Sequence, residues 1–174
     1  EQTMTVSQIT ETVRRFRSTH LCLTGGEPLM YKERSLALIQ ALSELEQLSD
    51  IHVETNGAIA LSYFLEQIPS PKVRYIMDYK LPDSLETEKM IADNLTLLRP
   101  QDEIKFVIGS ERDFRAALDV LNSFPIQAQP LFSPVWETMP PDRLAALMLE
   151  HGLSRVKLNL QLHKIIWPPS SRGV

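Results

Sequence analysis

The segment Thr24-Gly25-Gly26-Glu27-Pro28 combines residue types that could bind a small ligand. It follows an apolar run at 21–23 and precedes a helical pattern over 32–48. Two glycines let the backbone approach a ligand closely, and Glu27 places a negative charge at the carboxyl end of a predicted strand. Because no Lys-Ser or Lys-Thr follows the glycines, a phosphate loop is not expected. The pattern instead predicts that Glu27 and nearby backbone carbonyls bind a ligand ammonium.

Further polar residues follow the other predicted strands. Just past these strands the sequence places Glu54, Thr55, Asn56, Asp78, Lys80, Gly109, Ser110, Gln129, Ser133, Gln161 and His163. Each alone has an ordinary explanation, such as a turn for Asn56 or a solvated pair for Asp78 and Lys80. Because the carboxyl ends of parallel strands meet at one rim, the joint placement predicts one zwitterionic or ribose-bearing ligand. A lone histidine such as His163 is more often structural than catalytic.

The elements that must hold these residues alternate between strands and helices. The patterns predict strands over 20–23, 51–55, 73–77, 103–108, 126–131 and 155–162, helices over 6–17, 32–48, 61–67, 111–124 and 142–151, and one or two helical turns within 84–98. This order predicts an α/β fold with a parallel sheet covered by helices. Five to six strands are fewer than the eight of a closed barrel. An open, partial TIM-like barrel is therefore favoured, with a doubly wound sheet as the alternative.

Composition narrows the class of protein. The 174 residues carry a net charge of −4, with 43% hydrophobic and 23% charged residues, which is typical of a single globular domain. The charge gives no general attraction to nucleic acid or to anionic membranes. No apolar run approaches the ~20 residues of a membrane span. The single cysteine, Cys22, excludes an internal disulfide framework, fits a reducing cytoplasm, and is predicted to be an inert core thiol.

The last residues of the chain form a second notable segment. Trp167 supplies a large apolar anchor, and Pro168 and Pro169 restrict the backbone that follows it. Arg172 and the carboxylate of Val174 could therefore reach a binding site. No His-x-x-x-His pattern and no Gly-x-Ser-x-Gly pattern indicates a zinc site or a serine hydrolase.

Two of these segments resemble known motifs. Thr24-Gly25-Gly26-Glu27-Pro28 looks like the Gly-Gly-Glu-Pro motif of radical S-adenosylmethionine enzymes, and Glu54-Thr55-Asn56-Gly57 is similar to the segment after their next strand. The ending, Gln161-Leu162-His163 with Trp167 and Arg172-Gly173-Val174, resembles one family among them, the 7-carboxy-7-deazaguanine synthases. The similarity runs through essentially the whole chain and is weakest between about residues 84 and 99. It implies a partial barrel of parallel strands and a carbon–nitrogen lyase.

The resemblance implies a specific reaction. In this family 6-carboxy-5,6,7,8-tetrahydropterin is converted to 7-carboxy-7-deazaguanine with loss of ammonia, on the route to queuosine and other 7-deazapurines. A [4Fe–4S] cluster reduces S-adenosylmethionine to a 5'-deoxyadenosyl radical, which abstracts hydrogen from C6 of the pterin, and Mg²⁺ assists the ring contraction. The resemblance further implies a homodimer and a reductant such as flavodoxin.

The resemblance also assigns roles to residues of this chain. The residues implied to bind S-adenosylmethionine are Thr24, Gly25, Gly26, Glu27, Glu54, Asp78, Lys80 and Gln129. Within this set, Gly25, Gly26 and Glu27 would hold the methionine end of the cofactor, and Asp78, Lys80 and Gln129 would contact its ribose or carboxylate. The residues implied to bind the pterin are Gly26, His163 and the carboxylate of Val174. Asp78 and Tyr79 stand where relatives have serine and proline.

One part of the family pattern has no counterpart in the chain. The three cysteines that hold the cluster follow the first strand in these enzymes, and Cys22 alone cannot replace them. Since the chain opens on a helix without a methionine, we expect residues 1–174 to form one radical S-adenosylmethionine domain lacking its first strand and cluster loop. No catalytic residue is predicted within it, and it is expected to be inert alone. Two alternatives remain: another small radical activase, or a non-catalytic module that binds S-adenosylmethionine or a pterin.

Overall fold

The structure is a computed structural model that describes residues 3–167. Its strands are β1 (His20–Leu23), β2 (Asp50–Thr55), β3 (Val73–Tyr79), β4 (Glu103–Ile108), β5 (Gln129–Pro134) and β6 (Lys157–Leu158). Its α-helices are α1 (Val6–Arg15), α2 (Lys32–Ser43), α3 (Ser62–Gln67), α4 (Asp93–Leu97), α5 (Glu111–Ser123), α6 (Pro141–Glu150) and α7 (His163–Ile166). Two 3₁₀ turns, Pro82–Ser84 and Thr87–Lys89, lie between β3 and α4.

All six strands form one sheet in which each strand pairs in parallel with the next along the chain. A doubly wound sheet reverses its strand order at a switch point, and this sheet does not. Right-handed connections taken always in one direction place the helices on the same face. The prediction of an open, partial TIM-like barrel is confirmed, and the doubly wound alternative is excluded.

The two faces of the sheet differ in chemistry. Side chains alternate between the faces along each strand. The helix-covered face carries fully buried apolar residues such as Val53, Tyr75 and Phe106, which join one large cluster. The neighbouring positions Glu54 and Lys105 lie on the opposite face, which is polar and only partly buried. The core therefore lies between sheet and helices, and the open face remains available for ligands.

The boundaries of the last two strands were predicted wrongly. The structure begins β5 at Gln129 instead of residue 126, because its register is set by pairing with β4, where Glu103 faces Gln129. The predicted strand over 155–162 shrinks to the two residues of β6, which pair with Leu131 and Phe132 at the edge of the sheet. Edge pairing of this kind depends on a neighbouring strand, so a local apolar pattern cannot fix its length.

Cys22 was also predicted wrongly, as a buried core thiol. The structure places it exposed on the open face of β1, while its neighbours Leu21 and Leu23 pack against the core. None of the described helices is both long and apolar enough to cross a membrane.

Candidate functional site

The corner after β1 is open to an incoming ligand. Gly25 and Gly26 have φ angles of 105° and 31°, which residues with side chains rarely adopt. A Cβ atom added to either glycine would have no neighbour within 4 Å. Their two carbonyls accept no hydrogen bond from the rest of the described chain. The glycines thus leave space above the corner and two carbonyls without a partner in the described chain, and a ligand ammonium needs such acceptors.

Glu27 holds this corner in place from beneath. Its side chain is 8% exposed, and its Oε1 accepts hydrogen bonds from the Leu29 amide (3.1 Å) and the Thr55 hydroxyl (2.9 Å). Its Oε2 accepts from the Asn56 amide at 2.7 Å. A carboxylate has about four acceptor positions, so one remains. Glu27 therefore ties the corner after β1 to the loop after β2 and keeps limited capacity for a ligand.

Glu54 lies beside the corner on the open face. Its Oε2 accepts a hydrogen bond from the Thr24 hydroxyl at 3.4 Å. Burial, together with the charge and hydrogen bond of Glu54, raises the pKa of the Cys22 thiol. Cys22 is therefore held as a protonated thiol at neutral pH. Thr24 and Glu54, both predicted site residues, are brought together here.

Asp78 and Lys80 lie at the end of β3. Asp78 Oδ1 lies 2.8 Å from the Lys105 ammonium, and its Oδ2 lies 3.5 Å from Lys80. Burial disfavours the charge of Lys105, but Asp78 and Glu54 outweigh burial and raise the pKa of Lys105. Lys105 was not predicted as a site residue, since a lysine inside a strand has no distinctive local pattern.

A cavity of about 420 Å³ adjoins Lys80 at the carboxyl ends of β3, β4 and β5. The residues that line it are Tyr79, Lys80, Leu81, Asp83, Ser84, Val107, Gly109, Asp113, Val135 and Thr138. The walls are mainly apolar, and Lys80 and Asp83 supply opposite charges. Such a pocket, apolar with few polar groups, suits a small organic ligand.

Two buried polar residues that the sequence analysis missed hold the surrounding loops. Asn94 is fully buried, accepts from the Leu61 amide (2.9 Å), and donates to the carbonyls of Gly57 (3.2 Å) and Ile59 (2.9 Å). Asp113 accepts from two loop amides described below. A signal existed for Asp113, because Ser110 lies three residues earlier and caps α5. Asn94 lies in the segment where the sequence pattern was weakest.

Three predicted residues of the described chain, Gln129, Ser133 and His163, make no hydrogen bond to this group. Gln129 lies at the amino end of β5, and its amide donates to the carbonyls of Pro130 (3.1 Å) and Arg155 (2.7 Å). Ser133 lies near the carboxyl end of the same strand instead, where its hydroxyl accepts from Asn159 at 2.8 Å. His163 is exposed on α7. Val174 lies outside the described residues.

The residues present fit some of the implied groups and not others. The open Gly25-Gly26 corner, with the oxygen atoms of Thr24, Glu27 and Glu54 around it, fits the ammonium of S-adenosylmethionine. Among residues 3–167, no cluster of three or more His, Cys, Asp or Glu side chains could hold a metal ion. The chain's single cysteine does not fit a [4Fe–4S] cluster, which is held by several thiolates.

Comparisons with known proteins agree with this arrangement. A scan against protein-family profiles finds no match. A 7-carboxy-7-deazaguanine synthase from Clostridium acetobutylicum is 35% identical over 173 residues, covering 98% of this chain and 76% of the relative. Synthases of the same name from Chlorobaculum tepidum (33%) and Leptospira interrogans (31%) each match 98% of the chain and cover 76% and 74% of their own lengths.

A solved structure supports the fold. QueE from Escherichia coli superposes with a TM-score of 0.64 at 19% identity, covering 91% of this chain and 64% of that protein. Identity this low shows likeness of fold alone, whereas the sequence relatives carry the family. The chain belongs to the 7-carboxy-7-deazaguanine synthases, a family of radical S-adenosylmethionine lyases.

Proposed function

We propose that this chain binds S-adenosylmethionine at the carboxyl rim of its sheet and contributes that site to 7-carboxy-7-deazaguanine synthesis. The observation that carries the proposal is the Gly25-Gly26 corner, which is open on the Cβ side of both glycines, whose carbonyls accept no hydrogen bond from the described chain, and which Glu27 ties to the loop after β2. The methionine end of the cofactor would lie against this corner. Its ammonium would be bound by the two glycine carbonyls and the remaining acceptor position of Glu27.

The charges around the corner match the rest of that cofactor. S-Adenosylmethionine carries a sulfonium, an ammonium and a carboxylate. Thr24, Glu54 and Asp78 offer oxygen atoms for the cationic groups and the ribose hydroxyls, and Lys80 offers a cation for the carboxylate. Gln129 is left out of this proposed set because it lies at the amino end of β5.

The substrate that we propose is 6-carboxy-5,6,7,8-tetrahydropterin, converted to 7-carboxy-7-deazaguanine with loss of ammonia. Support comes from membership in the family and from the open polar face of the sheet, which adjoins the cofactor corner. Gly26, His163 and the Val174 carboxylate are the proposed pterin contacts, since acceptors suit the guanidine-like edge of a pterin. Of these, only Gly26 belongs to the group described above, and His163 and Val174 are proposed on the resemblance to the family alone. When bound, S-adenosylmethionine supplies the group that abstracts a substrate hydrogen, while the residues named here bind and orient both molecules.

We propose that the iron–sulfur cluster of the reaction is not held by the residues of this chain, and that Mg²⁺ assists the ring contraction, as the resemblance to the family implies. One cysteine cannot supply the thiolates that a cluster needs. The 174-residue chain is therefore expected to bind S-adenosylmethionine without cleaving it. A second candidate function is a non-catalytic module that binds S-adenosylmethionine or a pterin.

A matched pair of glycine variants tests the binding site. Gly26 and Gly152 both have positive φ, and a Cβ at either would meet nothing within 4 Å. Gly26→Ala and Gly152→Ala should each destabilise the fold by about 1 kcal/mol through backbone strain. Only Gly26→Ala should weaken S-adenosylmethionine binding, by about tenfold in titration calorimetry, equivalent to about 1.4 kcal/mol. If both variants bind S-adenosylmethionine equally well, the Gly25-Gly26 corner is not part of the cofactor site.

A product assay separates the two candidate functions. The 174-residue chain, given iron, sulfide, dithionite, S-adenosylmethionine and 6-carboxy-5,6,7,8-tetrahydropterin anaerobically, should form no 7-carboxy-7-deazaguanine. A longer form of the protein that adds three clustered cysteines should form it. Absence of product from such a form, with its cluster verified by absorbance, supports the binding module instead.

We also propose a homodimer for this protein, and flavodoxin as the class of reductant in the reaction. Exposed apolar side chains support the dimer, namely Leu162, Ile165, Ile166 and Trp167 around α7, with Leu149 and Leu158 beside a groove between α6 and β6. Sedimentation velocity should show a dimer that Leu149→Glu converts to a monomer. A monomeric wild-type chain would contradict the proposal.

A further inference from the structure

Asp113 is a buried carboxylate at the start of α5, and only 2% of it is exposed. Its Oδ2 accepts a hydrogen bond from the Gly109 amide at 3.0 Å, within the turn that follows β4. Its Oδ1 accepts one from the Asp83 amide, also at 3.0 Å, in the 3₁₀ turn that follows β3. One side chain thus joins the loops that follow two neighbouring strands.

The two joined loops border the same cavity, the one near Lys80. Asp83 and Gly109 both line this cavity, and Lys80 lies three residues before Asp83. The two residues between them have little freedom to move, because Leu81 is buried and Pro82 begins the 3₁₀ turn. A shift of the Asp83 amide would therefore shift the Lys80 backbone and change the width of the cavity.

The buried Asp113 carboxylate depends on its hydrogen bonds and packs tightly against Gly109. Removing a carboxylate from water is costly unless its oxygens receive hydrogen bonds, and here two backbone amides and the positive end of α5 supply them. A Cβ atom at Gly109 would lie 3.3 Å from Asp113 Oδ2, tighter than side chains normally pack. A side chain at position 109 would therefore displace the Asp113 carboxylate slightly, and its cost would come from this contact, because Gly109 does not have a positive φ.

We propose that Asp113 is a positioning residue for cofactor binding. It fastens the segment after β3 to the turn after β4, and so sets the place of Lys80 against S-adenosylmethionine. The inference rests on the proposed function, because Lys80 is there taken to contact the cofactor. Asp113 itself does not need to touch the ligand.

Asp113→Asn tests the inference with Asp119→Asn as a matched control. The asparagine amide can accept only at one atom, so one buried loop amide loses its partner. Asp119 is exposed on the same helix, and its substitution changes the net charge equally. Titration calorimetry with S-adenosylmethionine should show about tenfold weaker binding for Asp113→Asn and none of this loss for Asp119→Asn.

A double-mutant cycle distinguishes positioning from general destabilisation. If Asp113 acts through Lys80, then Lys80→Met should cost much less affinity in the Asp113→Asn background than in the wild type. Additive losses overturn the inference. Hydrogen exchange should also become faster at the Asp83 and Gly109 amides of Asp113→Asn, while the exchange of strand β2 is unchanged.

The outcomes separate the inference from the function on which it rests. Wild-type binding that is weakened by Lys80→Met but not by Asp113→Asn overturns the inference and leaves the proposed function intact. No wild-type binding overturns the proposed function and the inference with it. If Asp113→Asn does not fold, Gly109→Ala replaces it in the cycle, because it disturbs the same contact while keeping every hydrogen-bonding group. Additive losses with Lys80→Met again overturn the inference.

Discussion

The two ends of the sheet use their polar side chains differently. At the amino end, opposite charges bind each other: Arg74 donates to Asp50 at 2.9 Å and lies 3.2 Å from Glu103. Asp102, fully buried, accepts from the side chain and amide of Arg99 and from a β3 amide. These charges are satisfied within the chain and hold the strands together.

At the carboxyl end, Asp78 also pairs with Lys105, but the most deeply buried polar residues bind loops instead of opposite charges. Glu27, Asn94 and Asp113 each bond the backbone of segments that follow strands. Above them, the Gly25-Gly26 corner and the cavity at Lys80 are left open. The comparison indicates that polar groups at the amino end serve stability, whereas those at the carboxyl end shape loops for a ligand. Each prediction below tests that division.

The largest effect is expected for Asp102→Ala. Removing a carboxylate that is 0% exposed leaves Arg99 and the Tyr75 amide without their partner. The free energy of unfolding should fall by about 3–5 kcal/mol in urea denaturation. Affinity for S-adenosylmethionine should be unchanged in the folded protein. Asp119→Ala is the exposed control, and a loss of affinity with Asp102→Ala would break the division between the two ends.

Glu27→Gln should weaken cofactor binding more than it lowers the stability of the fold, the reverse of Asp102→Ala. One of the three groups that donate to the carboxylate would face an amide nitrogen, so the corner would loosen. Affinity for S-adenosylmethionine should fall by about 1.5–3 kcal/mol in titration calorimetry. The loss of unfolding free energy should be smaller than for Asp102→Ala. Glu33→Gln, exposed in the first turn of α2, serves as the control. A large stability loss with unchanged affinity would make Glu27 purely structural.

Arg74→Met tests whether the ion pairs at the amino end stabilise the fold, because it should change how stability depends on pH. Burial raises the pKa of Asp50, but the hydrogen bond and charge of Arg74 outweigh it, so the net pKa is lowered. A lowered pKa contributes stability above the unfolded value of about 3.9, and this is lost as pH falls through the folded value. The variant should lose about 1–2 kcal/mol at neutral pH and begin acid unfolding at a higher pH. An unchanged acid midpoint, followed by circular dichroism, would contradict this.

The smallest effect concerns the open face between the two ends. Because burial and Glu54 raise the pKa of Cys22, its thiolate should form only at a pH above that of a free thiol. The rate at which iodoacetamide alkylates Cys22 should therefore rise only at a pH above that for a free thiol. Glu54→Gln should move this rise to lower pH. Glu66→Gln, on α3, is a control that should leave the profile unchanged.

Much of the architecture was predictable because it depends on local patterns. The bounds of β1 and β4 were predicted to the residue, since each is a short apolar run closed by a turn. The segment over 84–98 was predicted only as helical turns, and it contains the 3₁₀ turn Thr87–Lys89 and α4. There Asn94 and the loop it binds decide the path, and such long-range contacts leave no periodic signal.

The candidate site divides in the same way. The glycine corner could be found from sequence because free backbone and a neighbouring acid are local properties. Gln129 could not be placed, because pairing with β4 starts β5 at Gln129, three residues after the predicted start, and so puts this residue at the amino end. Lys105 and Asp113 were missed because their partners, Asp78 and Asp83, lie about thirty residues earlier in the chain.

The sequence by itself determined the alternation of strands and helices, the acidic glycine corner and the resemblance to a family, since residue types at fixed spacing carry all three. Only the tertiary structure decided that Glu27 supports the corner from beneath, that Cys22 faces outward, and that Asp113 joins two loops. The physical reason is that a side chain's role depends on which donors and acceptors surround it. Pairing between distant strands brings those groups together.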